Sequence, residues 1–148
     1  MVDSARQIEN LLYTYAERID AGDFDGVADL FAHGRIHGIP DGPPDTVFTG
    51  RQAVRDLYGA STRIYEDSGT PKSKHLTSNA IIAVDDDAGT ATCRSYFCVL
   101  QATDDLPLQP IVTGRYHDTF HRIEGEWWFE SRTMHLDQTG DLSQHLLF

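Results

Sequence analysis

The chain has 148 residues, 40% of them hydrophobic and 24% charged, a composition that suits one soluble domain over residues 1–148 with a sizeable core. Its formal net charge of -11, from 23 acidic and 12 basic residues, argues against nucleic-acid partners and against an anionic membrane face. No apolar run approaches the roughly 18 residues needed to cross a bilayer, and the N-terminus lacks the basic and apolar regions of a secretory signal, so a cytoplasmic location is the expectation.

Residues 4–19 read as an amphipathic helix that starts directly after Met1, Val2 and Asp3, because Ile8, Leu11, Leu12, Tyr15 and Ile19 recur at helical spacing. Ser4 and Gln7 have the spacing of a capping box, and Ala21-Gly22 ends the segment. Asp23 can cap a short second helix with Phe24, Val27, Leu30 and Phe31 on its apolar side. Residues 33–39 suggest a brief strand, 40–45 a loop, and Val47-Phe48 another strand. Thr49 and Gln52 repeat the capping-box spacing before a helix carrying Val54, Leu57, Tyr58, Ile64 and Tyr65, which is expected to end near Glu66.

From residue 73 the period changes to two. Residues 74–84, 91–102, 109–122 and 126–136 read as four long strands. The first and last pairs are joined by tight turns at Gly89 and Gly125, and residues 103–107 form a longer turn. Cys93 and Cys98 lie five apart in one strand, so they face opposite ways and cannot pair with each other. The tail from 137 ends in Leu146-Leu147-Phe148 and is expected to pack on the domain or on a neighbouring subunit. Helices first and antiparallel strands later indicate an α+β fold in which helices cover one face of a curved sheet and leave a hollow for a ligand.

Three residues stand out as chemistry. Asp20 sits where the dipole of the first helix disfavours a carboxylate, so it calls for a specific partner or is a solvated turn residue. His75 lies near the start of a long strand and can act as a base. Strict alternation groups it with Thr77 and Asn79 on a polar face, which becomes a cavity wall if a bulge re-aims the strand. Arg132 alternates with Trp128, Glu130 and Met134, a face on which it can bind an anion or pair with an acid. His33 and His37, and likewise His117 and His121, are four apart on strands, about 13 Å, too far for both to ligate one ion. No metal site is expected. There is no phosphate-binding glycine loop, nucleophile elbow or zinc-protease motif.

The segments Tyr15-Ala16-Glu17-Arg18-Ile19-Asp20, Asp23–Phe31, Thr49–Val54, Lys74–Asn79 and Gly125–Phe129 together resemble the SnoaL-like branch of the nuclear transport factor 2-like superfamily over nearly the whole chain. The resemblance implies a cone-shaped α+β barrel, N-terminal helices packed on a strongly curved, mostly antiparallel sheet, and a homodimer or homotrimer. Within that group the chain is similar to scytalone dehydratase and hexachlorocyclohexane dehydrochlorinase, lyases that need no cofactor and act on small apolar or aromatic molecules. Asp20 and His75 match their Asp–His pair, and Arg132 matches an arginine of the dehydrochlorinase. The dehydratase's second histidine has no counterpart in Tyr96-Phe97-Cys98-Val99-Leu100, and its strand tyrosine none in His37-Gly38-Ile39. Scytalone itself is therefore not the expected substrate. Tyr15 and Tyr96 are candidates for a phenol, and Trp128 and Met134 for the substrate wall. The expectation is a lyase or isomerase that removes a proton from carbon. The alternatives are a polyketide-cyclase-like or ketosteroid-isomerase-like enzyme, and a non-catalytic subunit like those of ring-hydroxylating dioxygenases.

Overall fold

The computed structural model describes residues 3–148; Met1 and Val2, at the chain's opening, lie outside the described residues. Helix α1 (Ser4–Asp20) presents Ile8, Leu12, Tyr15, Ala16 and Ile19 to the interior. Its cap is Asp3, whose carboxylate accepts from Arg6 N, while the Ser4 hydroxyl bonds Asp86 at 2.6 Å. The Ser4–Gln7 box thus gives way to an acid one residue earlier, a cap of equal strength. Helix α2 (Phe24–Asp29) is capped by Asp23, which accepts from Gly26 N at 2.9 Å, as the sequence predicts. Between the two helices Gly22 holds φ +75° with Gly69 O so close that no side chain would fit.

Strands β1 (Arg35–His37) and β2 (Val47–Thr49) are shorter than or close to their expected ranges. Helix α3 (Gly50–Ser61) receives no side-chain cap from Thr49, and it stops at Ser61 instead of continuing to Glu66. The reason is tertiary. Thr62 pairs with Leu146, and Arg63 N donates to His145 O at 2.9 Å, so the C-terminal tail draws the chain into extended geometry.

Four long strands complete the chain: β3 (Ser73–Asp85), β4 (Thr90–Thr103), β5 (Leu106–Ile123) and β6 (Glu126–Thr139). The sheet order is β2-β1-β6-β5-β4-β3. Every neighbouring pair is antiparallel except β1 beside β6. The helices pack on one side of this sheet, α1 against β3 and β6.

Two of the sheet's bulges decide which way His75 and Arg132 face. In β3, Asn79 and Ala80 stand opposite the single residue Ser95, with Asn79 at φ 56°. In β6, Glu130 is the extra residue between the pairs Phe120–Phe129 and Thr119–Ser131. Each inserted residue reverses the inside–outside parity of the rest of its strand. His75 and Thr77 therefore share the inner face with Ile82 and Val84, and Arg132 joins Trp127 and Phe129 rather than Trp128 and Glu130. Strand β4 has no such break. It sends Ser95, Phe97, Val99 and Gln101 inward and Arg94, Tyr96 and Cys98 outward, with Cys93 inside and opposite in facing to Cys98, as expected. Gly114 lies beneath Phe97, where a Cβ would meet the Phe97 ring at 2.6 Å and His135 O at 2.2 Å. Its missing side chain lets Phe97 stack on Tyr116 at 4.4 Å.

Candidate functional site

Asp20 is the last residue of α1, and β3 runs past it with its inner face turned towards the helix. Three donors converge on the carboxylate. His75 Nδ1 donates to Oδ1 at 2.6 Å, the His75 backbone N–H to Oδ2 at 2.8 Å, and the Ser73 hydroxyl to Oδ1 at 2.9 Å. These are the specific partners that a carboxylate at a helix C-terminus needs. The side chains of His75 and Asp20 keep only 9% and 10% of their surface exposed. Burial works to raise the Asp20 pKa, but the His75 side chain, its backbone N–H and the Ser73 hydroxyl together hold it below the usual carboxylate range. With Nδ1 donating to Asp20, the neutral form of this ring carries its lone pair on Nε2. Nε2 has no hydrogen-bond partner among the described residues.

The Asp20–His75 pair borders a ring-lined interior. His75 is the register partner of Val99, and Thr77 that of Phe97. Phe97 stacks on Tyr116, whose edge meets Tyr15 at 5.9 Å. Tyr15 also meets Phe31 and Phe129, and its hydroxyl shares a hydrogen bond with that of Tyr58. Burial raises the pKa of all three tyrosines, so they stay neutral phenols. Burial also lifts the Cys93 thiol to about 11, which removes it as a nucleophile. On the outside, Asp20 and Ser73 border an open groove of about 530 Å³ with Lys72, Lys74, Leu100 and Leu108.

Arg132 is wholly buried, and its first partner is Asp118 on β5. Nε and Nη2 donate to the two carboxylate oxygens at 2.8 and 2.9 Å. The guanidinium lies 3.6 Å from the Tyr116 centroid and 4.3 Å from that of Tyr15. Burial opposes its charge, and Asp118 more than offsets this, keeping it a cation. Nη1 is left without a hydrogen-bond partner among the described residues. The structure thus gives most of this side chain to the acid-paired alternative, with Asp118 as the acid. Met134 lies half-buried against the core. Trp128 is turned to the opposite side, edge-on to His33 at 4.8 Å. Tyr96 lies on the outer face, 54% exposed, so neither aromatic is brought to the Asp20–His75 pair.

Two residues near the pair escaped the sequence reading. Ser73 could have been found, being two positions before His75 on a strand and so on the same face. His145 carried no local signal. The tail lays its ring 6.2 Å from that of His75. It is 7% exposed, and its Nδ1 is buried without a partner among the described residues, an unmet capacity that costs about 1–3 kcal/mol. The last two residues, Leu147 and Phe148, remain exposed. Among the described residues no three His, Cys, Asp or Glu side chains gather as a metal site requires, and no helix is long and apolar enough to cross a membrane.

Burial, and then the nearby His75, depress the His145 pKa from 6.5 to about 4. The unfolded chain binds this proton more readily than the native one, so the fold loses stability as the pH falls from 6.5 to 4, and none of this loss is present above that range. The depression corresponds to about 3 kcal/mol. Asp20, whose folded pKa is lowered, loses its own contribution as the pH falls further. Denaturant unfolding at pH 7 and pH 4.5 is expected to show this loss, and His145→Gln to flatten it. An unchanged pH dependence in the variant would contradict the burial of a neutral imidazole.

The fold recurs in known structures. A Mycobacterium tuberculosis protein of unknown function is 27% identical, with a TM-score of 0.71 over 90% of this chain and 72% of its own. A Novosphingobium aromaticivorans DSM 12444 protein that carries the provisional name scytalone dehydratase is 25% identical, with a TM-score of 0.70 over 93% of this chain and 86% of its own. ActVI-ORFA of Streptomyces coelicolor, 19% identical with a TM-score of 0.70 over 90% of this chain and 96% of its own, shares the fold. No curated protein matches the chain in sequence. Residues 1–133 match the sequence pattern of the SnoaL-like domain, and the chain belongs to that family.

Proposed function

We propose that the protein is a cofactor-independent lyase or isomerase that removes a carbon-bound proton from a small cyclic or polyketide-like molecule. One observation carries this reading: a largely enclosed histidine, 9% exposed, whose Nδ1 is held by a carboxylate at 2.6 Å while its Nε2 is left without a partner among the described residues. The C–H bond beside a carbonyl breaks, its proton passes to His75 Nε2, and its electron pair moves onto the carbonyl oxygen as an enolate. Asp20 stabilises the imidazolium that forms. The imidazolium then returns the proton to a departing hydroxyl, giving dehydration, or to another carbon, giving isomerisation. Tyr15, Met134 and the surrounding rings supply a low-dielectric wall, and Arg132 Nη1 is the part of that side chain left for an anion.

The alternative in which the carboxylate is itself the base fits less well, because three hydrogen bonds already occupy both Asp20 oxygens. Self-association belongs to the same proposal. Leu76, Ile81 and Tyr96 are exposed on the outer sheet face, where a second copy would cover them. It is also the main support for a non-catalytic assembly role.

The test is hydrogen exchange in D2O, followed by proton NMR, over a panel of cyclic ketones and cyclic β-hydroxy ketones. The wild type is expected to accelerate loss of an α-proton signal from at least one compound, and His75→Gln to abolish the acceleration. A wild type inert on the whole panel, or a His75→Gln variant as fast as wild type, would contradict the proposal.

A further inference from the structure

The tail that closes over the Asp20–His75 pair is not loosely laid. Arg63 N donates to His145 O at 2.9 Å, Leu147 N to Ser61 O at 3.0 Å, and Gln101 Nε2 to Gln144 O at 3.0 Å. The Tyr65 hydroxyl also donates to Gln144 O at 2.5 Å. The backbone on both sides of His145 is therefore fixed by α3, by the segment after it and by β4, and its ring has a defined place. That place is beside His75, with ring centroids 6.2 Å apart and planes at 55°. At this separation a single oxygen atom can lie within about 3 Å of a nitrogen on each ring. Among the described residues the His145 side chain has no hydrogen-bond partner that would explain its position, and its buried Nδ1 is unpartnered. Gln101, the register partner of Ser73, likewise leaves its Oε1 buried and unpartnered.

We infer that His145 is a second catalytic residue of this site, a neutral imidazole that donates a hydrogen bond to the oxygen of the reacting molecule while His75 takes the proton. The inference rests on the reading of His75 as the base. The chemistry requires such a donor. When the C–H bond breaks, the electron pair comes to rest on the carbonyl oxygen, and a fixed N–H aimed there lowers the barrier. A neutral ring suits the task better than a cation. His75 becomes an imidazolium in the same step, and a second positive charge 6.2 Å away would oppose that proton transfer. The depressed pKa of His145 agrees with a ring that stays uncharged. A histidine tuned to be neutral can polarise a carbonyl without giving up its proton.

The probe is 4-nitrophenol, whose phenolate imitates the enolate, titrated into protein carrying ¹⁵N-labelled histidine. Binding is expected to shift the ring nitrogens of both His75 and His145. His145→Phe is expected to weaken 4-nitrophenol binding by about ten- to a hundredfold, and His145→Asn, which keeps an N–H donor, to recover part of the loss. The Nδ1 proton shared with Asp20 should be unaltered in both variants, which separates loss of the donor from loss of the fold. If 4-nitrophenol shifts His75 alone and His145→Phe binds it as tightly as wild type, His145 has no such role and the base assignment stands. If neither imidazole responds and the ketone panel is inert, the reading beneath the inference falls with it.

Discussion

Asparagine in place of Asp20 is expected to slow α-proton exchange by about three to four orders of magnitude while the protein stays folded. The carboxylate does two things for His75. It accepts the Nδ1 proton at 2.6 Å, which leaves the Nε2 lone pair as the base, and it lies beside the positive charge that develops there. The Asn amide can accept one hydrogen bond from the ring or the His75 backbone, but it carries no charge and cannot replace both oxygens. The stability cost of losing those bonds is about 1–3 kcal/mol. A fold that melts cooperatively with exchange near the background rate is the expected combination. A variant folded and as active as wild type would show that the pair is structural only.

Removing Arg132 is expected to have the largest effect on stability. Arg132→Met leaves Asp118 as a buried carboxylate with no cation. Breaking such a pair from one side costs about 3–5 kcal/mol. Burial already raises the Asp118 pKa in the native protein, and without the guanidinium it rises further. A carboxyl whose folded pKa lies above its unfolded value destabilises the fold as the pH rises. Relative to wild type at the same pH, the variant's deficit should therefore shrink as the pH falls from 8 to 5, on top of the acid loss from His145 that both proteins share. The double variant Arg132→Met with Asp118→Leu should recover most of the loss, because it leaves no charge stranded among Tyr15, Tyr116 and Phe129. Chemical denaturation of the two single variants and the double variant measures the coupling. A single variant as stable as wild type would contradict the buried, dry environment of this pair.

Periodicity exposed α1 and the four long strands because both depend on local pattern. The apolar stripe Ile8, Leu12, Tyr15 and Ile19 is buried as read. The side of β3 that His75 would face could not be settled from alternation, because alternation does not count an inserted residue. The bulge at Asn79 and Ala80 places His75 on the inner face together with Ile82 and Val84. The Glu130 bulge concealed the Arg132–Asp118 pair in the same way. Counting straight back from the turn at Gly125 sets Asp118 opposite Ser131, whereas the bulged register sets it opposite Arg132. The end of α3 and the place of His145 depend on one long-range event, the pairing of Thr62 with Leu146. Nothing in either segment alone encodes it.

The claim on which the rest depends is that Asp20 fixes the His75 ring with its proton on Nδ1. Nitrogen-15 and proton NMR of the histidine rings reads this directly. In its neutral form one imidazole should show a protonated Nδ1 with a proton far downfield and a bare Nε2, and that signal should vanish in both His75→Gln and Asp20→Ala. A His75 ring protonated on Nε2, or an Nδ1 proton unchanged when Asp20 is removed, would contradict the account.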